Sequence, residues 1–256
     1  MPELTVENLG PIALFTLNRP EKLNALNPSL LEAIASAVEE FDQDDDLRVG
    51  IVHGAGRAFC SGGDLSSPAV KLSPDGKLKT TGESLAAMPF SASPKPFIAA
   101  VNGLAVGGGF EIVLDCDIRI CSNSAYFGLY EPRRGLLAAY GMHHLPRVIG
   151  AAAASQVLLT AESVSSEKAL QWGIVTEVLA PDKLLPRAFE LASAIAANAP
   201  LSMRATKAAI QGWRKYGVSD AVDLHEGDVA LVMSSHDAVE GIKAFMEKRK
   251  PAWAGR

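Results

Sequence analysis

An α/β fold closing in a helical region is the architecture this sequence predicts, and three observations predict it. Over the first two thirds, short apolar runs of strand length alternate with stretches whose apolar residues recur every three or four positions. Beyond Asp182 the pattern is helical almost throughout. At 256 residues, 48% hydrophobic and 21% charged, the chain can bury one substantial core, alone or with a helical appendage.

Taken in order, residues 12–17 and 47–52 have the apolar pattern of strands, and Leu30, Leu31, Ile34, Val38 and Phe41 recur at helical spacing between them. Asn27-Pro28-Ser29 suits a helix start, with proline in the first turn and a small polar cap. Asp44-Asp45-Asp46 suits a solvated loop from that helix to the next strand. Residues 66–95 carry Ser, Pro, Lys and Gly with little periodicity apart from 85–90, which predicts a mobile loop around one helix, suited to covering a site. A strand at 97–101 then runs into a glycine cluster and a helix at 108–115, followed by strands at 118–122 and 125–128. Residues 151–160 and 166–172 read as short helices and 174–178 as a strand. The helical tail breaks at Ala199-Pro200 and Tyr216-Gly217. Its scattered apolar residues call for a partner surface, so the chain is expected to form oligomers.

Composition excludes several classes. A formal net charge of −5 lacks the basic face that neutralises nucleic-acid phosphates. Cys60, Cys116 and Cys121 show no CxxC spacing and cannot all pair within one chain, which predicts free thiols in a reducing compartment. The opening Met-Pro-Glu-Leu-Thr resembles no targeting leader, and no apolar run approaches the roughly 20 residues that span a bilayer. A cytoplasmic protein without membrane or nucleic-acid partners is expected. The histidines, including His143-His144, have no metal-ligand spacing, so no metal site is expected. Neither a Gly-x-Ser-x-Gly elbow nor a His-Glu-x-x-His motif occurs.

Three segments carry the chemistry. Gly54-Ala-Gly-Arg-Ala-Phe-Cys-Ser-Gly-Gly-Asp64 follows a strand, but Phe59 stands where a dinucleotide fingerprint needs its third glycine. Asn102-Gly-Leu-Ala-Val-Gly-Gly-Gly-Phe-Glu111 lacks the Gly-Lys-Ser/Thr ending of a phosphate loop. It does enter a helix, whose first N–H groups are unpaired and lie at the positive end of the dipole. Glu131 follows in Phe127-Gly-Leu-Tyr-Glu131-Pro-Arg-Arg-Gly135. A triple glycine alone is also consistent with a tight turn, Glu111 alone with a favourable first-turn charge, and Glu131 alone with a loop residue paired to Arg133 or Arg134. Together, two carboxyls and two sets of exposed amides point to a reaction that passes through an oxyanion.

In this order the segments resemble the crotonase family, also called the enoyl-CoA hydratase/isomerase superfamily. The likeness covers nearly the whole chain. It begins at Leu17-Asn-Arg-Pro-Glu-Lys-Leu-Asn-Ala-Leu26 and continues through Ala58-Phe-Cys-Ser-Gly-Gly-Asp-Leu65. It is strongest from Ala100 to Glu111 with Asp115-Cys-Asp-Ile-Arg119, runs on through Leu145-Pro-Arg-Val-Ile-Gly150, and closes with Ala244-Phe-Met-Glu-Lys-Arg-Lys250.

The resemblance implies a spiral of ββα units forming two roughly perpendicular sheets over residues 1–195. It implies a helical oligomerisation region over 196–256 that packs homotrimers, often doubled into hexamers. It implies an acyl-CoA substrate whose thioester oxygen accepts from the amides of Gly63 and Gly108, with coenzyme A entering as part of the substrate and no separate cofactor. Lys22, Ala58, Ser61, Asp64 and Leu65 match the CoA-binding edge, and Phe245 and Lys248 match positions that reach a neighbouring subunit's CoA site. Glu111 and Glu131 match the paired glutamates of hydratases: Glu111 would hold and deprotonate water, and Glu131 would deliver the α-proton or share water activation.

The expected reaction is therefore reversible hydration of an α,β-unsaturated enoyl-CoA. The alternatives are double-bond isomerisation, dehydration of a carnitinyl-type CoA, or acyl-CoA binding without catalysis. Two departures bear on specificity. Leu137-Ala-Ala-Tyr-Gly-Met-His-His144 replaces the family's glycine-rich stretch with bulkier residues, which would narrow or redirect the acyl pocket. Pro132 is expected to hold Glu131 in an extended backbone conformation.

Overall fold

The computed structural model describes residues 2–66, 71–72, 78–79, 88–134, 136–216, 231 and 235–256, side chains at 71–72, 78–79, 213–216 and 245–246 excepted. β1 (Leu4–Leu9) and β2 (Ile12–Leu17) form an antiparallel pair, α1 (Pro28–Gln43) follows, and β3 (Val49–Gly54) returns parallel to β2. From there a strand, strand, helix step recurs. β3 leads to β4 (Ala58–Cys60), and β5 (Lys71–Leu72) with β6 (Leu78–Lys79) makes a small separate ladder. β7 (Phe97–Val101) leads through β8 (Leu104–Val106) into α2 (Gly108–Asp115). β9 (Ile118–Ser122) leads through β10 (Tyr126–Gly128) to α3 (Gly141–Ile149) and α4 (Ala151–Thr160).

After β11 (Val164–Ser165), α5 (Ser166–Gln171) and β12 (Glu177–Leu179), the chain is helical in α6 (Pro181–Ala196), α7 (Pro200–Tyr216) and α8 (His236–Met246). The first strand of each step joins a six-stranded sheet, order β1-β2-β3-β7-β9-β12, and the second a four-stranded sheet, order β11-β10-β8-β4. This is the ββα spiral expected.

Burial on both faces explains why the inner strands read as continuous apolar runs. Ile51, Ile98, Ala100 and Ile120 pack with Leu184, Ala188 and Ala192 of α6, while the alternate residues Val52, Ala99, Val101 and Cys121 join the main core. Gly50 makes room for an aromatic cluster: a Cβ there would stand 2.2 Å from the Phe97 ring, which packs against Phe15, Phe41 and Phe90. α1 starts as expected, with Asn27 Oδ1 accepting from Leu30 N at 2.8 Å and Pro28 in the first turn.

Several boundaries differ from the expectation. β3 starts at Val49 because Leu47 N and Arg48 N bond back to Asp44 and Pro11 carbonyls instead of a ladder. The strand expected at 174–178 lies at Glu177–Leu179, since the N–H groups of Ile174 and Val175 cap α5 by bonding Ala169 O. The loop and helix expected at 66–95 fall largely outside the described residues. The end of that segment packs into the core, where Met88, Phe90 and Lys95 are buried. Lys95 Nζ donates to the carbonyls of Phe41 and Asp44, both at 2.6 Å, and Lys207 of α7 donates to those of Phe90 and Lys95 while pairing with Asp117 at 2.8 Å. These buried ammonium groups tie α1 and α7 to the segment before β7. Among the described residues, no helix is long and apolar enough to cross a membrane.

Candidate active site

α2 is buried along its whole length and starts from Gly107, whose backbone at φ 55° and ψ −132° is open to glycine and strained for other residues. This start packs backbone to backbone on the segment leaving β4. A Cβ on Gly109 would lie 2.2 Å from Cys60 O, and one on Gly62 would lie 2.8 Å from Val106 O and 3.2 Å from Gly108 N. The glycines therefore serve close approach as well as amide exposure. The Leu23–Leu26 segment runs alongside, with Ser61 N donating to Leu23 O, Leu26 N to Gly62 O and Asp64 N to Leu26 O at 2.8–3.0 Å. These bonds leave the N–H of Gly63 and that of Gly108 without a partner among the described residues.

Glu111 lies one turn into α2 and is only 3% exposed. Its Oε1 accepts from Tyr140 N at 3.0 Å and Gly141 N at 2.8 Å, at the start of α3. Burial holds its carboxyl above the ordinary glutamate range; the bond from Gly141 opposes that, the Glu131 charge pushes it further up, and the bond from Tyr140 again opposes. Glu131 meets the same site from β10. Its Oε1 would lie 2.9 Å from a Cβ on Gly107, and its Oε2 is buried with no hydrogen-bond partner among the described residues. Burial raises the Glu131 carboxyl too, against its own backbone N–H and the charge of Arg134. Contrary to the extended backbone expected of it, Glu131 opens a 3-10 turn, Glu131–Arg134. Pro132 sits in the first turn, where a missing N–H costs nothing.

The structure thus brings together Glu111, Glu131 and the Gly107-Gly108 and Gly62-Gly63 backbones. Ala58 is buried, with its carbonyl accepting from Asn24 and Asn102. Ser61 Oγ bonds Lys22 O at 3.4 Å. Asp64 pairs with Arg19 at 3.1 Å and binds the Ser66 hydroxyl, and these partners hold its carboxyl below the usual range. Lys22 and Leu65 are exposed near this edge. Phe245 lies in α8, with its side chain outside the description, and Lys248 is exposed just beyond that helix at φ 53°. Sequence reasoning missed Asn24, a buried residue at φ 56° that accepts from Arg19 N and donates to the Ala55 and Ala58 carbonyls, setting the Leu23–Leu26 segment against β4. Its signal was an Asn inside a loop, which tolerates this conformation.

Cys60 underlies Gly109, and burial pushes its thiol up to about 12. Burial does the same for Cys121, also to about 12, and raises Cys116 well above the usual range. Among the described residues, no three His, Cys, Asp or Glu side chains group as metal ligands. A separate groove of about 790 Å³ opens beside the ends of β3 and β7, lined by Leu23, His53, Arg57, Asn102, Tyr126 and Leu185 among others; neither glutamate lines it.

The order of the spiral and the meeting of these segments match a known family. Residues 7–256 fit the model of the enoyl-CoA hydratase/isomerase family, and the chain belongs to that family. Among characterised relatives it is 39% identical to a mevalonyl-coenzyme A hydratase of Aspergillus fumigatus, over 94% of this chain and 91% of that one. It is 38% identical to an (E)-benzylidenesuccinyl-CoA hydratase of Thauera aromatica, over 98% of this chain and 99% of that one. A crystal structure of enoyl-CoA hydratase from Bacillus anthracis superposes with a TM-score of 0.91 at 31% identity, covering 99% of this chain and all (100%) of that one.

Proposed function

We propose that the protein adds water reversibly across the α,β double bond of an enoyl-CoA thioester. One observation carries the reading within the family: a buried glutamate oxygen, Glu131 Oε2, stands unpartnered beside a second buried carboxyl, Glu111. A site of this kind suits a water molecule and a carbon to be protonated. In the forward direction the thioester oxygen accepts from the amides of Gly63 and Gly108. Glu111 takes a proton as the water oxygen bonds the β-carbon, and the double-bond electrons move through the α-carbon onto the carbonyl as an enolate. Glu131 then supplies the α-proton or shares in activating the water, giving a 3-hydroxyacyl-CoA. The amide pair stabilises the enolate by about 3 kcal/mol per donor, as in comparable oxyanion sites, and the reaction consumes only thioester and water.

Lys22, Ala58, Ser61, Asp64 and Leu65 form the CoA edge in this reading, with Phe245 and Lys248 contributed by a neighbouring subunit. The region from residue 196 onward assembles trimers or hexamers; the exposed Ile210, Val239 and Ile242 on α7 and α8 support this. Three buried free thiols support a cytoplasmic location.

Hydration needs one carboxyl ionised and one protonated, so activity falls when both are protonated and when both are ionised. Burial raises both groups, and Glu131 raises Glu111 further, so both limbs of the kcat/KM profile are expected above the ordinary carboxylate range. Initial rates across pH at fixed ionic strength check this; an acid limb at or below the ordinary glutamate value contradicts it. The reaction itself is tested by incubating the protein with a panel of enoyl- and 3-hydroxyacyl-CoA thioesters in deuterated water and weighing the products. Gain of oxygen with deuterium supports hydration. Deuterium without oxygen replaces it by isomerisation or enolisation, and an inert panel favours binding alone.

A further inference from the structure

We infer that Asp115 and Tyr140 form a positioning pair that fixes the carboxylate of Glu111. The inference rests on the role proposed above for Glu111. α2 carries Glu111 and Asp115 four residues apart, so both side chains leave the same face, one turn from each other. Tyr140 meets both. Its N–H donates to Glu111 Oε1 at 3.0 Å, and its hydroxyl donates to Asp115 Oδ1 at 2.6 Å. The other Asp115 oxygen accepts from Ser91 N at 3.0 Å. The Tyr140 ring lies flat on His144, with centroids 3.5 Å apart and planes 4° apart, and His144 Nδ1 is 3.0 Å from Tyr140 O. Gly141, the second donor to Glu111, is seated against Leu129, where a Cβ would come within 2.7 Å.

A carboxyl at Asp115 is otherwise unfavourable. It is fully buried at the last residue of α2, the negative end of the helix dipole, where an apolar side chain would pack without desolvation cost. The carboxyl there gathers Ser91 and the Phe90 backbone ahead of β7, and it anchors the hydroxyl of the tyrosine whose amide, with that of its neighbour, holds Glu111 Oε1. Both amides grip one oxygen of Glu111, leaving Oε2 outside the clamp. Tyr140 is therefore placed as a positioning residue.

Tyr140→Phe removes one hydroxyl and keeps the ring on His144. With the best enoyl-CoA substrate, kcat is expected to fall about 10- to 100-fold with KM little changed, a loss typical of misplaced reacting groups. A second readout separates positioning from simple loosening. The amide bonds favour the charged form of Glu111, so slackening them moves the acid limb of kcat/KM to higher pH. Asp115→Asn, which keeps the shape but turns one acceptor oxygen into a donor, gives a loss of the same kind, and the double variant is no slower than Tyr140→Phe. Circular dichroism establishes that each variant is folded. Native kcat and acid limb in Tyr140→Phe, or additive losses in the double variant, overturn the inference when Glu111→Gln is inactive. Normal turnover in Glu111→Gln overturns the functional reading itself and this inference with it.

Discussion

Replacing Glu131 by glutamine is expected to lower hydration of an enoyl-CoA about 1000-fold, in the middle of the range for a positioned acid or base. The amide keeps the shape and the contact beside Gly107, so the dissociation constant of a saturated acyl-CoA should stay within a few-fold of the native value. The same change removes the second titrating carboxyl, so the alkaline limb should vanish from the residual activity while the acid limb, raised by burial of Glu111, stays above the ordinary glutamate range. Glu111→Gln should lose a comparable factor, because its single carboxyl both receives the Tyr140 and Gly141 amides and moves a proton. Steady-state kinetics alongside calorimetric binding separate the two effects. Native turnover in Glu131→Gln removes that residue from the chemistry.

Gly109→Ala is expected to be the most damaging one-carbon change near the site. The added methyl would lie 2.2 Å from Cys60 O and 2.7 Å from Cys60 Cβ, against a buried strand and a buried side chain, neither of which has room to give. The start of α2 must then move away from β4, parting the two backbones that carry Gly63 and Gly108. Overpacking of this kind costs about 2–3 kcal/mol of stability, and a shift near 1 Å at the reacting centre costs about 100-fold in turnover. Urea denaturation and kcat measured on the folded fraction report the two losses. A variant with native midpoint and native kcat would show that the two loops do not hold each other in register.

Local signals made much of this legible. The helix at 108–115 and the strands at 97–101 and 118–122 fall where expected, because the unbroken apolar run of 97–101 and the glycine and aspartate stops that bound the other two leave little freedom of register. β4 and β8 did not announce themselves, since each is three residues long and sits inside a glycine-rich segment whose pairing comes from the other turns of the spiral. For the site, sequence supplied Glu111 and Glu131 as a pair through their motifs. It did not reveal that Tyr140 and Gly141 grip Glu111, because that contact joins residues 29 and 30 positions apart. The bulky stretch at 137–144 read as a change in pocket size. In the fold it supplies backbone donors to Glu111, a role that a side-chain pattern does not encode.

The three cysteine thiols give the fold an internal gauge. With each thiol sealed in the core and held well above neutral pH, alkylating reagents should leave the native protein untouched. Modification of Cys60 in particular would require the Gly109 contact to part, so its labelling rate under native conditions measures how often the catalytic framework breathes open.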